Sequence, residues 1–194
     1  MTVETTLLTD DASVPLYLRD CWYMATHAAK VKRGRLRREM LLGEPVLIGR
    51  MLDGAIFATR DICPHRGVPL SAGRILPENT VECPYHGWRF RKDGVCSHIP
   101  SLVEGQPLDP SNIRVRSYPV CEQDGLIWVY VANNPRETSM PRITPPKVSL
   151  TNAKPRWIES QLFHCDIDHA VLGLMDPAHA AFVHAHWWWK KTPR

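Results

Sequence analysis

"CPHRG" at residues 63–67 and "CPYHGW" at residues 83–88 decide how this chain is read. Each fragment places one cysteine and one histidine in a Pro/Gly loop that follows a short apolar segment. A loop of this kind can turn two side chains toward one metal centre while the strands beneath it stay rigid. The chain has only six cysteines, so two of them beside histidines carry information.

Outward from these loops the pattern is that of short strands. "EPVLIGR" (44–50) and "GAIFATR" (54–60) flank "MLDG", a hairpin signal centred on Asp53-Gly54. "TVECPYHGWRF" runs into "RKDG", a turn of the same chemistry. "GLIWVYVA" (125–132), rich in β-branched and aromatic residues, reads as a closing strand. Residues 15–132 are therefore expected to form a small all-β domain, preceded by a loose polar tail over 1–14. Residues 133–155 hold five prolines and few large apolar side chains, and read as a linker or extended connection. Residues 156–194 open in a strand-like way and then turn helical. Asp176 is placed as N-cap and Pro177 at the first helical position. This last stretch is too short to bury a core alone, yet it carries four of the seven tryptophans. It reads as a second domain cut short.

Composition excludes several classes. Hydrophobic content of 44% and charged content of 23% are those of an ordinary globular chain. No apolar run approaches a membrane span, and the acidic N-terminus lacks the basic start of a secretory signal. A cytoplasmic setting with reduced or metal-bound thiols is expected. The net charge of +4 has one local source, "KVKRGRLRR" at 30–38, with six basic residues in nine. It reads as a solvated strand edge, or as a dock for an acidic electron-donor protein. Without interleaved aromatic residues it does not suggest nucleic acid.

Cys63-x-His65 and Cys83-x2-His86 supply two thiolates and two imidazoles. A binuclear iron–sulfur cluster, with one iron on two cysteines and the other on two histidines, needs this set. A structural Cys2His2 zinc site is the alternative. It ordinarily pairs cysteine with cysteine and histidine with histidine, whereas both pairs here are mixed. Coincidental packing of cysteines and histidines in loops is the remaining alternative.

"CPHRG…CPYHGW" resembles the Rieske cluster motif in the variant of the Rieske non-haem iron oxygenases. These are the ring-hydroxylating alpha subunits and their demethylase relatives. The resemblance runs from "CWYMA" (21–25) to "GLIWVY" and covers most of residues 17–131. It implies that Cys63 and Cys83 hold the inner iron of a [2Fe-2S] cluster, and His65 and His86 the outer one. The extra cysteine that each loop of respiratory Rieske proteins carries is absent, which points to the oxygenase type. Arg66, Gly67, Gly87 and Trp88 are expected around the cluster, with Trp88 as shielding rather than as an electron relay. Cys21, Cys96, Cys121 and Cys165 read as buried or incidental thiols.

"DPAHAAFVH" (176–184) has the form D-x2-H-x4-H. His179 and His184 stand about 140° apart on a regular helix, so only a distorted or ended helix lets them converge on one ion. Downstream of a Rieske motif the fragment resembles the mononuclear iron motif of the same oxygenases. The resemblance implies that His179 and His184 bind ferrous iron, and that Asp176 bridges a cluster histidine to an iron-ligand histidine across a subunit boundary. Two features depart from the family. No Asp or Glu follows Asp176 to serve as third ligand, and Gly173 stands where an asparagine is frequent. His186 lies only two residues past His184, and His164 and His169 lack motif support.

The fold class implied is mainly β: an all-β Rieske [2Fe-2S] domain, then the incomplete start of an α+β helix-grip catalytic domain. The function implied is that of a terminal oxygenase component, N-terminal part. Electrons from NAD(P)H arrive through a reductase, with or without a ferredoxin. They reach a mononuclear Fe(II) that activates O2 to hydroxylate, dihydroxylate or demethylate a small, often aromatic substrate. A homotrimer is implied for the full-length form, with no membrane and no nucleic acid. A Rieske-type ferredoxin carrier with a vestigial tail is the rival reading.

Overall fold

The expected hairpin at Asp53-Gly54 is present. Strand β3 (Glu44–Arg50) pairs antiparallel with β4 (Ile56–Arg60). Strand β2 (Arg35–Leu41) pairs with the other edge of β3, and β9 (Ser117–Tyr118) with the other edge of β4. This four-stranded sheet is central because both of its faces are apolar. Val46, Ile48 and Ala58 point to one side; Leu47, Met51 and Phe57 point to the other. The two-residue period of a strand sends alternate side chains to opposite faces, so a near-continuous apolar run marks a strand covered on both. The structure, a computed structural model, describes residues 17–147, 162–176, 178 and 183.

The first face is covered by a three-stranded sheet of β1 (Cys21–His27), β11 (Leu126–Val131) and β10 (Val120–Gln123), with β11 in the middle. Ile127 and Val129 of β11 meet Val46, Ile48 and Tyr118 there. Pairing of β1 with β11 joins the two ends of the domain, Cys21 standing opposite Val131. On the far side of this sheet the indole N–H of Trp22 donates to the Ile143 carbonyl at 2.8 Å, and Gln123 Nε2 donates to the carbonyls of Pro145 and Pro146. The proline-rich segment after β11 is thus tied back onto the sheet by side-chain donors, which suits a stretch whose prolines offer none.

The second face is covered by a small sheet of β5 (Arg74–Ile75), β6 (Val81–Glu82), β7 (Arg89–Phe90) and β8 (Cys96–His98), in that order. Its core joins Leu47, Met51 and Phe57 to Leu70, Val81, Phe90, Ile99 and Val115, and to the sulfurs of Cys63 and Cys83. Burying each of the large side chains is worth about 1.5–3 kcal/mol.

The basic stretch at 30–38 feeds the exposed edge strand β2, where Arg37 pairs with Glu39, and Arg38 approaches Asp61 at 3.8 Å. Charged side chains along an unpaired edge discourage another strand from adding to it.

The chain divides into two compact units, Met1–Val148 and Ser149–Arg194. In the second, helix α1 runs over Ile167–Met175 and ends at Asp176. The sequence reading placed a helix start at Asp176-Pro177, and most residues of that helix lie outside the described ones. Asp176 does act in the expected manner, since its Oδ1 accepts the Ala178 N–H at 2.9 Å, the bond an N-cap makes. The added feature is α1, whose Ile167, Leu172, Leu174 and Met175 are exposed. Among the described residues no helix is long and apolar enough to cross a membrane.

Candidate metal centre

The two motif loops have the same backbone. In the first, the Cys63 N–H donates to the Val68 carbonyl at 2.9 Å and the Gly67 N–H donates to the Cys63 carbonyl at 2.9 Å. In the second, the Cys83 N–H donates to the Trp88 carbonyl at 2.8 Å and the Gly87 N–H donates to the Cys83 carbonyl at 3.1 Å. Each bond joins equivalent positions, counted from its cysteine. The fifth residue of each loop takes a left-handed conformation, φ 71° at Gly67 and 69° at Gly87. That conformation suits glycine and costs other residues roughly 1–2 kcal/mol.

This shared frame sorts the four candidate ligands by depth. Cys63 and Cys83 are buried, and their thiols interact directly. His65 is half-buried and His86 exposed, with ring centroids 4.6 Å apart. The indole of Trp88 stacks on His65 at 4.5 Å, within 5° of parallel. Tyr85 lies against His86 at 4.0 Å. Sulfur sits inward, imidazole outward, and aromatic faces flank both rings.

Burial pushes the Cys63 thiol up to about 11; the backbone N–H of His65 works against this, and the neighbouring Cys83 adds to it. N–H groups aimed at a sulfur favour its charged form. His65 is held below the usual histidine value by desolvation first, then by the charges of His86 and Arg66. A neutral imidazole is the form that binds metal.

The donor set fits a binuclear cluster better than a single ion. Among the described residues no three His, Cys, Asp or Glu side chains stand where they could hold one ion. Tetrahedral zinc needs four convergent ligands. A [2Fe-2S] centre of mixed ligation needs two side chains per iron, a thiolate pair and an imidazole pair. The loops bring Cys63 together with Cys83 in one core, and His65 together with His86 outside it.

Carboxylates precede each loop. Glu82 is answered by Arg74 at 2.7 Å and Arg89 at 3.4 Å. Asp61, fully buried, accepts from the Ser71 N–H at 2.7 Å and the Ser71 hydroxyl at 2.6 Å. Sequence reading missed both, although Asp61 stands two residues before Cys63. All six cysteines are free: Cys96 is buried, Cys21 and Cys121 half-buried, and Cys165 exposed. Asp176 is exposed, as are His164 and His169. His179 and His184 lie outside the described residues, as do His186 and the tryptophans at 187–189.

Fold and loops together define an iron–sulfur protein, and residues 21–119 match the Rieske [2Fe-2S] domain family. The chain belongs to that family. Its relatives include oxygenase components. It is 35% identical over 172 residues to the oxygenase component of dicamba O-demethylase from Stenotrophomonas maltophilia, covering 87% of this chain and 48% of that one. The crystal structure of dicamba monooxygenase bound to dicamba matches with TM-score 0.57 and 35% identity, over 67% of this chain and 37% of the other. The reduced oxygenase–ferredoxin complex of carbazole 1,9a-dioxygenase matches with TM-score 0.54 and 26% identity, over 73% and 33%. The chain spans a quarter to a half of the length of the curated relatives it matches.

Proposed function

We propose that this chain is the electron-accepting portion of a Rieske oxygenase terminal component, with Cys63, Cys83, His65 and His86 as the ligands of a [2Fe-2S] cluster. The observation that carries the reading is the pair of loops that share one backbone hydrogen-bond frame, with buried sulfurs and outward imidazoles. Bound there, the cluster supplies a one-electron store. The chain's own residues set its conditions. Backbone N–H groups of His65 and Arg66 aim at the Cys63 sulfur and favour its thiolate. Trp88 and Tyr85 limit water at the imidazoles while leaving His86 open to a donor. The edge imidazoles are where electrons enter from a reductase or a ferredoxin, the latter supported by the ferredoxin complex of a structural relative.

Downstream, His179 and His184 are proposed as ligands of a mononuclear Fe(II), with Asp176 as the carboxylate that hydrogen-bonds a ligand imidazole. The proposed reaction is O2-dependent hydroxylation, dihydroxylation or demethylation of a small, aromatic substrate, with NAD(P)H as the distant electron source and a trimer as the working form. The D-x2-H-x4-H motif supports this over a simple electron carrier. Iron and acid-labile sulfide, measured on anaerobically prepared protein, test the reading. About two irons and two sulfides per chain are expected, with red-brown colour. A third, tightly held iron shows that the chain completes its mononuclear site unaided. A colourless, zinc-bearing protein refutes the reading.

A further inference from the structure

Asp61 buries its side chain two residues before the first candidate cluster ligand. Its side chain is 0% exposed, and it is met by the Ser71 N–H, the Ser71 hydroxyl and, at 3.8 Å, the Arg38 guanidinium. Both carboxyl oxygens are thus held from outside the loop, Oδ1 by a backbone N–H and Oδ2 by a hydroxyl. Arg38 is 47% exposed on an edge strand, so water screens its charge while the protein interior does not screen that of Asp61. Glu82, beside Cys83, differs: it is more open and is flanked by two guanidinium groups. Two peptide units separate Asp61 from Cys63, so their Cα atoms stand no more than about 7.6 Å apart. Ser71 belongs to the 3-10 turn Leu70–Ala72, and Leu70 packs in the same core as both cysteine sulfurs. The clasp therefore fixes the carboxylate's place relative to the first loop.

We infer that Asp61 is a positioning residue whose fixed negative charge makes the cluster harder to reduce, opposed by Arg38. The inference rests on the cluster ligation proposed above. Reduction adds one electron to the site and breaks no bond, so the site's charge falls by one. A negative charge held nearby in a poorly screened place disfavours that change, and a positive one favours it.

Asp61→Asn tests the charge alone. The amide oxygen keeps the Ser71 N–H, and the amide N–H can donate to the Ser71 oxygen, because a hydroxyl both donates and accepts. The loaded protein is titrated with dithionite against redox dyes, and the reduced cluster is followed by electron paramagnetic resonance. Asp61→Asn is expected to keep its iron and its resonance while favouring reduction at least tenfold, a rise of 59 mV for one electron. Arg38→Gln is expected to disfavour reduction at least threefold, the opposite sign. A merely structural role would move neither, or both alike. An Asp61→Asn shift under threefold, or downward, overturns the inference. So does an Arg38→Gln potential equal to or above that of the unsubstituted protein. If Asp61→Asn holds no cluster, Arg38→Gln decides by the same criterion. Absence of the cluster from the unsubstituted protein sinks the proposed function instead.

Discussion

Leu70→Ala isolates the contribution of the core beneath the metal loops. Leu70 is 1% exposed and packs against the group that contains Cys63, Cys83, Leu47 and Phe90. It sits in the 3-10 turn that also carries Ser71, so its removal loosens the support of the first loop. The substitution removes three carbons. At about 0.8 kcal/mol per buried methylene, the transfer part is about 2.4 kcal/mol. Incomplete collapse around the vacated space adds to this, and buried Leu→Ala changes span roughly 2–5 kcal/mol. About 3 kcal/mol is expected. With a urea slope near 2 kcal/mol per molar, the midpoint falls by about 1.5 M. The assay is tryptophan fluorescence of the cluster-free protein against urea, with loss of visible absorbance from the loaded protein as the companion signal. Leu172→Ala, on the exposed helix α1, is the control, with a change within about 0.5 kcal/mol. A Leu70→Ala cost below about 1 kcal/mol refutes the claim that this core braces the loops.

Two further outcomes are expected. Gly67→Ala meets no atom within 4 Å and is strained only by its φ, whereas an added Cβ at Gly87 also stands 3.1 Å from Pro100 Cγ. Gly67→Ala should cost about 1 kcal/mol and Gly87→Ala more, as urea midpoints will show; an equal or reversed order contradicts the loop geometry. Tyr118 is pushed up to about 12, by burial first and by Glu44 beside its hydroxyl, against the charge of Arg116. A folded-state value raised above the unfolded one, near 10, favours the neutral phenol. Its contribution to stability is therefore whole below pH 10 and is lost as pH climbs toward 12. Tyr118→Phe should flatten that alkaline loss, and ultraviolet titration should find Tyr118 among the last tyrosines to ionise.

Much of the β architecture was legible because strands covered on both faces leave an apolar run, as in "VLI" at 46–48, and because Asp53-Gly54 marks its own turn. The glycine spacing of the two loops was equally plain. Their common hydrogen-bond frame was not, since the histidines sit at the third position of one loop and the fourth of the other. The clasp of Asp61 by Ser71 was hidden for a different reason. It joins residues ten apart through a turn whose placement depends on the surrounding core. Helix α1 carries Ile167, Ala170, Val171 and Leu174 at helical spacing, but its start has no side-chain cap to mark it, and the stretch was read only as turning helical. The pairing of β1 with β11, from opposite ends of the domain, has no local signal at all.

The central claim is that two imidazoles and two thiolates share one cluster. Hyperfine spectroscopy of the reduced protein, grown with 15N-histidine, addresses it directly. The account predicts an unpaired electron coupled to ring nitrogens of two histidines, His65 and His86. A paramagnetic centre without nitrogen coupling, or none in protein prepared without oxygen, would contradict it.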